Sequence, residues 1–248
     1  MANPIPVNDT TAIRDRIIEH CNLHEILDEN GDPFMTLKLK FPPHVKAGFL
    51  RLWGAPETSA IDRVLHLYIG GRGNDANVMY AMTKAKSAVP HFMLQFNVNP
   101  PDLWSYHVDL TPKVDSVMYP AYWQEIYTPL SILTENEPLK STMTHRIQAD
   151  RNVYLSTWGL HGKQVAISEY QLMQATIVPA YLQQFLAVHD HLRFDDVPEA
   201  DIVKRGQRQE AMFFAREMDG RGWERLDEFF GVEVAEQVRT AFAKQLAV

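Results

Sequence analysis

Polar and apolar side chains alternate along VPHFMLQFNVNPPDLWSYHVDL, residues 89–110, which predicts two strands joined by a Pro-rich turn. Successive side chains of a strand point to opposite faces, so each strand divides into two sets. The apolar set comprises Phe92, Leu94, Phe96, Val98, Trp104, Tyr106, Val108 and Leu110. The polar set comprises His91, Met93, Gln95, Asn97, Ser105, His107 and Asp109. Imidazole groups can donate protons near neutral pH and amides can bind polar ligands, so the polar set is a candidate site.

Two interpretations of the polar set are open. Register normally aligns the apolar sets of neighbouring strands, which also gathers the polar set on one face. That face could simply meet the solvent, as one face of many antiparallel sheets does. A solvent face usually carries Lys and Glu, however, whereas His, Gln, Asn and Met are residues that line clefts. We therefore favour a polar cleft between sheet and helices, to which His66 and Tyr68 of another strand are expected to contribute.

Short segments rich in β-branched and aromatic residues, separated by Gly, Pro and Asn turns, predict an antiparallel sheet. They are residues 34–41, 45–53, 63–71, 76–84, 89–110, 152–158 and 163–168. Helical periodicity follows Thr10 or Thr11 as far as Asn30-Gly31, and returns over 117–135, 169–192, 199–217 and 231–246. Kinks are expected at Pro120, Pro129 and Pro179, because proline lacks the backbone donor of a helix. The chain, 1–248, is therefore predicted to be a single α+β domain with helices packed on a central antiparallel sheet.

Composition argues against several classes of protein. A net charge of −7 provides no basic face for nucleic acid. The single cysteine, Cys21, cannot form an internal disulfide, so a reducing compartment is expected. Cys21 lies among apolar residues of a predicted helix and is therefore expected in the core. The first residues have no targeting pattern, and no stretch is apolar for long enough to span a membrane. We expect a cytoplasmic protein without membrane or nucleic-acid partners.

The remaining motifs favour structural roles. His20 and His24 lie four residues apart, and His189-Asp190-His191 is a short cluster, but neither has partners at zinc-like spacing. They predict solvent-exposed histidines and no metal site. GGRGNDAN (70–77) lies between two strands and not before a helix, so it predicts a hairpin turn and not a phosphate-binding loop.

Three segments together resemble a known family. VPHFMLQF and DLWSYHVDLTPKVDSVMYPAYWQEIY resemble the part of red chlorophyll catabolite reductases where a Pro-x-Phe strand leads to an Asp-Leu-x-x-x-Lys-Asp sequence and a Tyr-rich helix. FFGVEVAEQVRTAFAKQL resembles their C-terminal Phe-Gly-x-Glu-Val helix. These enzymes belong with the ferredoxin-dependent bilin reductases, and the similarity covers roughly residues 60–135 and 170–246.

The resemblance implies an α/β/α sandwich that holds an open-chain tetrapyrrole between the sheet and the C-terminal helices. It implies an oxidoreductase acting on biliverdin or a chlorophyll-derived bilin through a radical mechanism. Electrons would come from reduced ferredoxin and none from a bound flavin or metal, so side chains would supply the protons. The expected contacts to the pigment are Gln95, Asn97, His66, Tyr68, Met93, Ser105 and Asp109.

The chain departs from these enzymes at one acidic position. They carry an acid at the position of Gln95 and a second acid that matches Asp219. An amide can bind a pyrrole carbonyl but cannot act as a general acid, so the candidate proton donors are Asp219, His91 and His107. The departure leaves open a second function, a tetrapyrrole-binding protein without catalysis.

A ferredoxin partner is acidic, as this chain is, so its docking requires a local basic patch. Lys84, Lys86, Lys113 and Lys163 follow or end predicted strands, and we expect the patch there, at the edge of the sheet.

Overall fold

The computed structural model describes residues 7–71, 74–99, 103–135, 155–192, 194, 196–217 and 220–243. Within these ranges the chain forms one eight-stranded antiparallel sheet with helices on both faces. The α+β sandwich with a central antiparallel sheet, predicted from the sequence, is confirmed. No helix within the described ranges has both the length and the apolar character needed to cross a membrane.

The strands follow one another as antiparallel neighbours through most of the sheet, in the spatial order β1-β3-β4-β5-β6-β7-β8, and β2 also pairs with β3. They are β1 (His24–Ile26), β2 (Met35–Lys38), β3 (Lys46–Gly54), β4 (Ile61–Gly71), β5 (Asn74–Thr83), β6 (His91–Asn99), β7 (Leu103–Thr111) and β8 (Leu160–Val165). The predicted hairpin over 70–77 is confirmed by the pairing of Gly71 with Asn74. Short connections of this kind are what antiparallel strands permit.

The helices divide between the two faces of the sheet. They are α1 (Val7–Cys21), α2 (Pro120–Tyr127), α3 (Ile167–Leu172), α4 (Val178–His191), α5 (Glu199–Phe213), α6 (Gly220–Phe230) and α7 (Val232–Ala243). A 3₁₀ segment, Thr128–Glu135, extends α2, and a π-helical turn, Met173–Ile177, joins α3 to α4. The expected interruption of the helix near Pro129 is confirmed, and Pro179 lies in the first turn of α4, directly after the π-helical turn.

Each face of the sheet has its own hydrophobic core. On one face, α1 packs on β4 and β5, α4 packs on β7, and α2 packs on α4. Phe92 and Phe185 of α4 are in contact at a ring-centroid distance of 5.4 Å. On the other face, α6 and α7 pack on Leu50, Leu65 and other apolar residues of β2 to β5. Cys21 is buried in the first core, as predicted.

The first helix is shorter at its C-terminal end than its periodicity predicts. Asn22 adopts a positive φ of 52°, which ends α1 at Cys21. The chain then enters β1, where His24 pairs with Gly54 of β3. The expected stop at Asn30-Gly31 is instead a turn in which Asp28 accepts backbone hydrogen bonds from Asn30 and Asp32. Tertiary strand pairing therefore overrides the apolar spacing that continues through Leu23 and Ile26.

Two further differences affect the second half of the chain. The strand predicted at 163–168 forms at Leu160–Val165, and residues 155–158 of the one predicted at 152–158 are a turn, the rest lying outside the described residues. Helix α6 was not predicted, because glycine disfavours helices and both Gly220 and Gly222 lie in its first turn. Trp223, Leu226 and Phe230 are nevertheless spaced as residues on one face of a helix, and this face of α6 is buried.

We predict that the core between α4 and the sheet contributes strongly to stability. Phe185 has no exposed surface, so Phe185→Ala should lower the free energy of unfolding by about 3–5 kcal/mol through lost burial and a residual cavity. Phe41→Ala is the matched control, since this ring is 55 % exposed and its loss should change stability by less than about 0.5 kcal/mol. Urea unfolding measures both, and equal effects would contradict the packing of α4 on this face.

Candidate active site

The pairing of β6, β7 and β8 gathers the polar set on one face. Gln95 pairs with His107, Met93 with Asp109, and His107 in turn with His161 of β8. Directly paired residues point to the same side of a sheet, so these side chains form one surface. We call it the polar face; its residues are His91, Met93, Gln95, Asn97, Ser105, His107, Asp109 and His161.

The polar face is partly open. Gln95, Asn97, Ser105 and His161 are only half-buried, whereas Phe92, Leu94 and Phe96 on the reverse side are buried. The helical layer that covers β2 to β5 reaches Tyr80, the partner of Met93, through Phe214 and Phe242. The boundary between that layer and the polar face runs beside β6.

Helix α5 is fixed across the end of β7. Arg205 Nε and Gln209 Nε2 donate to the Pro112 carbonyl over 2.9 and 2.7 Å. Gly206 lies so close to Lys113 that a Cβ at this position would be 2.6 Å from Nζ. The absence of a side chain at Gly206 is thus what lets α5 approach the lysine.

His66 and Tyr68 do not lie on the polar face, and the expectation that they share it is wrong. The register Arg51–His66–Met79–Leu94 places His66 on the opposite side of the sheet. There Arg14 Nη1 donates to His66 Nδ1 over 3.1 Å, and the other ring nitrogen lies 3.3 Å from Asn77 Oδ1. Tyr68 donates to Asp75 on the same side, over 2.9 Å. Burial, with a smaller contribution from the charge of Arg14, lowers the pKa of His66 to about 4.

Asp109 is a fully buried carboxyl group of the polar face. Its Oδ2 accepts hydrogen bonds from Ser156 N at 3.0 Å and Thr111 Oγ1 at 3.1 Å, while Ser156 Oγ donates to Oδ1. Burial raises the pKa of Asp109 to about 6, against the hydrogen bonds from Ser156 and Thr111 that act to lower it. A carboxyl group with this pKa can hold or release a proton near neutral pH.

His91 is also fully buried, and its hydrogen bonds define its tautomer. Its Nδ1 accepts the backbone N–H of Thr83 over 3.0 Å, so the proton of the neutral ring lies on Nε2. Within the described part of the chain Nε2 has no hydrogen-bond partner. Burial, and then the positive charges of Lys113 and Arg63, hold the pKa of His91 well below its ordinary value. His91 is therefore suited to donate a hydrogen bond rather than to store an acidic proton.

The charges near His91 form a buried cluster that sequence analysis missed. Lys113 and Arg63 have no exposed surface, and Asp62 and Glu210 are each at least nine-tenths buried. Arg63 pairs with Asp62 and donates to the Phe242 carbonyl over 2.7 Å. Burial lowers the pKa of Lys113 to about 8, with Glu210 and Asp62 opposing. Lys113 follows Pro112 at the end of a strand, where lysines are usually exposed, so only tertiary contacts identify it.

The expected basic patch does not form as predicted. Besides the burial of Lys113, Lys84 Nζ donates to the Pro56 and Glu57 carbonyls over 3.0 and 2.6 Å, and Lys86 pairs with Glu199 at 2.9 Å. Lys163 is exposed on β8.

Two cavities flank Arg205 near the end of β7. One of about 420 Å³ is lined by Lys113, Lys204, Arg205 and Arg208 among others, and one of about 310 Å³ by Tyr127, Ser156 and Arg205.

Three histidine and aspartate positions remain to be placed: His107, His161 and Asp219. His107 is mostly buried, and its ring lies 5.8 Å from that of His161 in an edge-on arrangement. His161 was not predicted, and the signal that could have found it is the histidine between Leu160 and Gly162 at the start of LHGKQV. Asp219, the acid that matches the family, lies outside the described residues, so its role stays a prediction.

No protein-family model matches this chain, and a search of curated proteins finds no match. Among solved structures, the chain is similar to the crystal structure of SeMet-phytochromobilin synthase from tomato in complex with biliverdin. The TM-score is 0.71 at 16 % sequence identity, and the similarity covers 94 % of this chain and 80 % of that one. The chain therefore has the bilin reductase fold. The narrower likeness to red chlorophyll catabolite reductases stays a prediction.

We predict that Asp109 makes stability depend on pH. Its folded pKa of about 6 lies above the ordinary value for aspartate, so the unfolded state loses its proton first as pH rises. Stability from Asp109 is thus complete below about pH 4 and falls until about pH 6, by roughly 3 kcal/mol in total. Asp109→Asn, which preserves shape and hydrogen bonding, should remove this loss.

The measurement is urea unfolding of parent and Asp109→Asn at several pH values between 4 and 8. The difference in unfolding free energy should grow in favour of the variant up to about pH 6 and then stay level. Asp32→Asn, at an exposed turn, controls for the loss of one carboxylate. A parent–variant difference that is constant over this range would contradict the raised pKa.

Proposed function

We propose that this protein binds an open-chain tetrapyrrole on the polar face and reduces it with electrons from ferredoxin. The observation that carries the proposal is a half-open row of hydrogen-bonding side chains, Gln95 beside His107, on the sheet of a bilin reductase fold. Amide and imidazole groups can bind the lactam oxygens and pyrrole nitrogens of such a pigment. The thioether of Met93, on the same face, and the ring of Tyr80 paired with it provide contacts for the pigment rings.

The charged groups around Arg205 support an anionic pigment. Lys204, Arg205 and Arg208 line a cavity at the end of β7 that also reaches Lys113, and these four cations outnumber the acids of its lining, Asp115 and Asp201. Guanidinium and ammonium groups bind carboxylates through charge-assisted hydrogen bonds. Bilins carry propionate carboxylates, so these cations are the proposed partners for that end of the pigment.

The proton donors must come from the side chains of this chain in the proposed reaction. Reduction of one double bond takes two electrons, supplied singly by two ferredoxins, and two protons. Gln95 cannot supply a proton, but Asp109 lies diagonally across the β6–β7 pair from it, about 7 Å away. We assign Asp109 and Asp219 as proton donors, with His107 as an alternative. His91, held neutral, is assigned as a hydrogen-bond donor through Nε2.

Binding is tested by adding biliverdin to the purified protein and recording its absorption spectrum. We expect saturable binding with a shifted pigment band, and Gln95→Leu should weaken it by about tenfold, the value of one or two hydrogen bonds. Gln183→Leu, an exposed position on α4 on the far side of the sheet, is the matched control and should leave binding unchanged. Absence of saturable binding by the parent would leave the polar face as a solvated surface.

Reduction is tested by supplying reduced ferredoxin to the biliverdin complex and following loss of the pigment band. We expect turnover to require ferredoxin, and Asp109→Asn and Asp219→Asn each to slow it by roughly 10²–10⁴-fold while binding survives. Asp32→Asn should have no effect. If neither variant slows turnover, the donor assignment is wrong. If the parent binds biliverdin and other bilins but never reduces them, the non-catalytic binding protein is the correct function.

A further inference from the structure

The C-terminal turns of two helices converge at a cluster of two histidines and an aspartate. His20 lies in the last turn of α1, and His189 and Asp190 lie in the last turn of α4. His20 Nε2 is 2.9 and 3.0 Å from the two carboxylate oxygens of Asp190, and His189 Nδ1 is 2.9 Å from Oδ1. His20 is exposed, as predicted, and His189 is half-buried; the sequence did not indicate that α1 and α4 bring the two together.

The three side chains present ligand atoms at a spacing that suits a divalent metal ion. One nitrogen of each histidine and one oxygen of Asp190 all lie within 4.8 Å of one another. In a tetrahedral zinc site with bonds of about 2.0–2.1 Å, neighbouring ligand atoms are separated by about 3.3 Å. The present separations, from 2.9 Å upward, bracket that value, so small side-chain rotations could form the site.

The electrostatics of this position favour a cation. The C-terminal ends of α1 and α4 carry the negative poles of two helix dipoles. Burial acts to raise the pKa of Asp190, but hydrogen bonds from His189 and His20 outweigh it and hold the pKa below its ordinary value. The carboxylate is therefore ionised at neutral pH. Its side chain is 38 % exposed, which leaves a route for an ion from solvent.

A second contact orients one of the histidines. The other ring nitrogen of His189, Nε2, lies 3.2 Å from Ser59 Oγ, and Ser59 is 8 % exposed. Ser59 Oγ is itself held by the backbone N–H of Ile61 at 3.1 Å. Histidines that bind metals commonly use their second nitrogen in this way, which fixes the ring and directs the first nitrogen to the ion.

We propose that His20, His189 and Asp190 form a binding site for Zn²⁺, with solvent water completing the coordination. Two imidazole nitrogens and one carboxylate oxygen suit zinc and cobalt better than magnesium or calcium, which prefer oxygen ligands alone. The ion would replace the hydrogen bonds that now join the rings to Asp190 and would link α1 to α4. The site is independent of the polar face, since α1 and α4 cover the opposite side of the sheet.

The experiment is a titration of the metal-free, full-length protein with Co²⁺, followed by displacement with Zn²⁺. We expect one equivalent of Co²⁺ to produce the visible bands of a tetrahedral or five-coordinate site, and Zn²⁺ to abolish them. Zn²⁺ should also raise the melting temperature. His20→Gln and His189→Gln should each remove the bands, and Ser59→Ala should weaken binding by about 10–100-fold.

His191→Gln is the matched control, because His191 is exposed in the same turn but outside the cluster. It should leave the titration unchanged, and circular dichroism of every variant should show that the fold is preserved. The proposal is overturned if the parent shows no saturable site, if both His20→Gln and His189→Gln retain one equivalent, or if His191→Gln loses as much as they do. In those cases the three residues join α1 to α4 by hydrogen bonds alone.

Discussion

The register between β6 and β7 is the constraint on which the two sides of this molecule depend. Pairing Gln95 with His107 places every polar side chain of both strands on one face and Phe92, Leu94 and Phe96 on the other. A slip of one residue would turn the buried aromatic rings toward the half-open face and the imidazoles toward α4. The pairing is therefore held by hydrophobic burial on the reverse side, and the polar face is positioned by residues that it does not contain.

The buried charges at the end of the sheet impose a second constraint. Isolated charges are costly to bury, but Asp62, Arg63, Lys113 and Glu210 comprise two of each sign and lie near one another. Replacing one of these charged side chains would leave a buried charge without a counter-charge, so the fold requires all four. Burial is the main cause of the low pKa of His91, and the positive charges of Lys113 and Arg63 lower this pKa further. The cluster thus adds to the effect of burial in keeping the imidazole neutral, and its Glu210 belongs to α5.

The alternation within β6 and β7 predicted the sheet, its antiparallel pairing and most of the polar face, because those features depend on local spacing. His66 was misplaced for a physical reason. On β4 both Val64 and Leu65 are buried, so the strand is covered on both faces and its own pattern does not tell them apart. The burial of Lys113 depends on Gly206, and the cluster at Asp190 on His20 at the other end of the chain. Contacts between such distant segments leave no periodic signal in either one.

The pairing of the two strands gives Gln95 and Asp109 complementary roles in the proposed reaction. An amide at this position binds without competing for a proton, while the carboxyl group one pair further along, Asp109, has the burial that raises its pKa toward neutrality. Ser156 Oγ donates to that carboxyl group and lines the cavity beside Arg205, so a proton could reach the cavity through a hydroxyl although Asp109 has no exposed surface. In the proposed reaction, binding and proton storage would then belong to different residues of one face, so an amide at Gln95 is compatible with a proton source at Asp109.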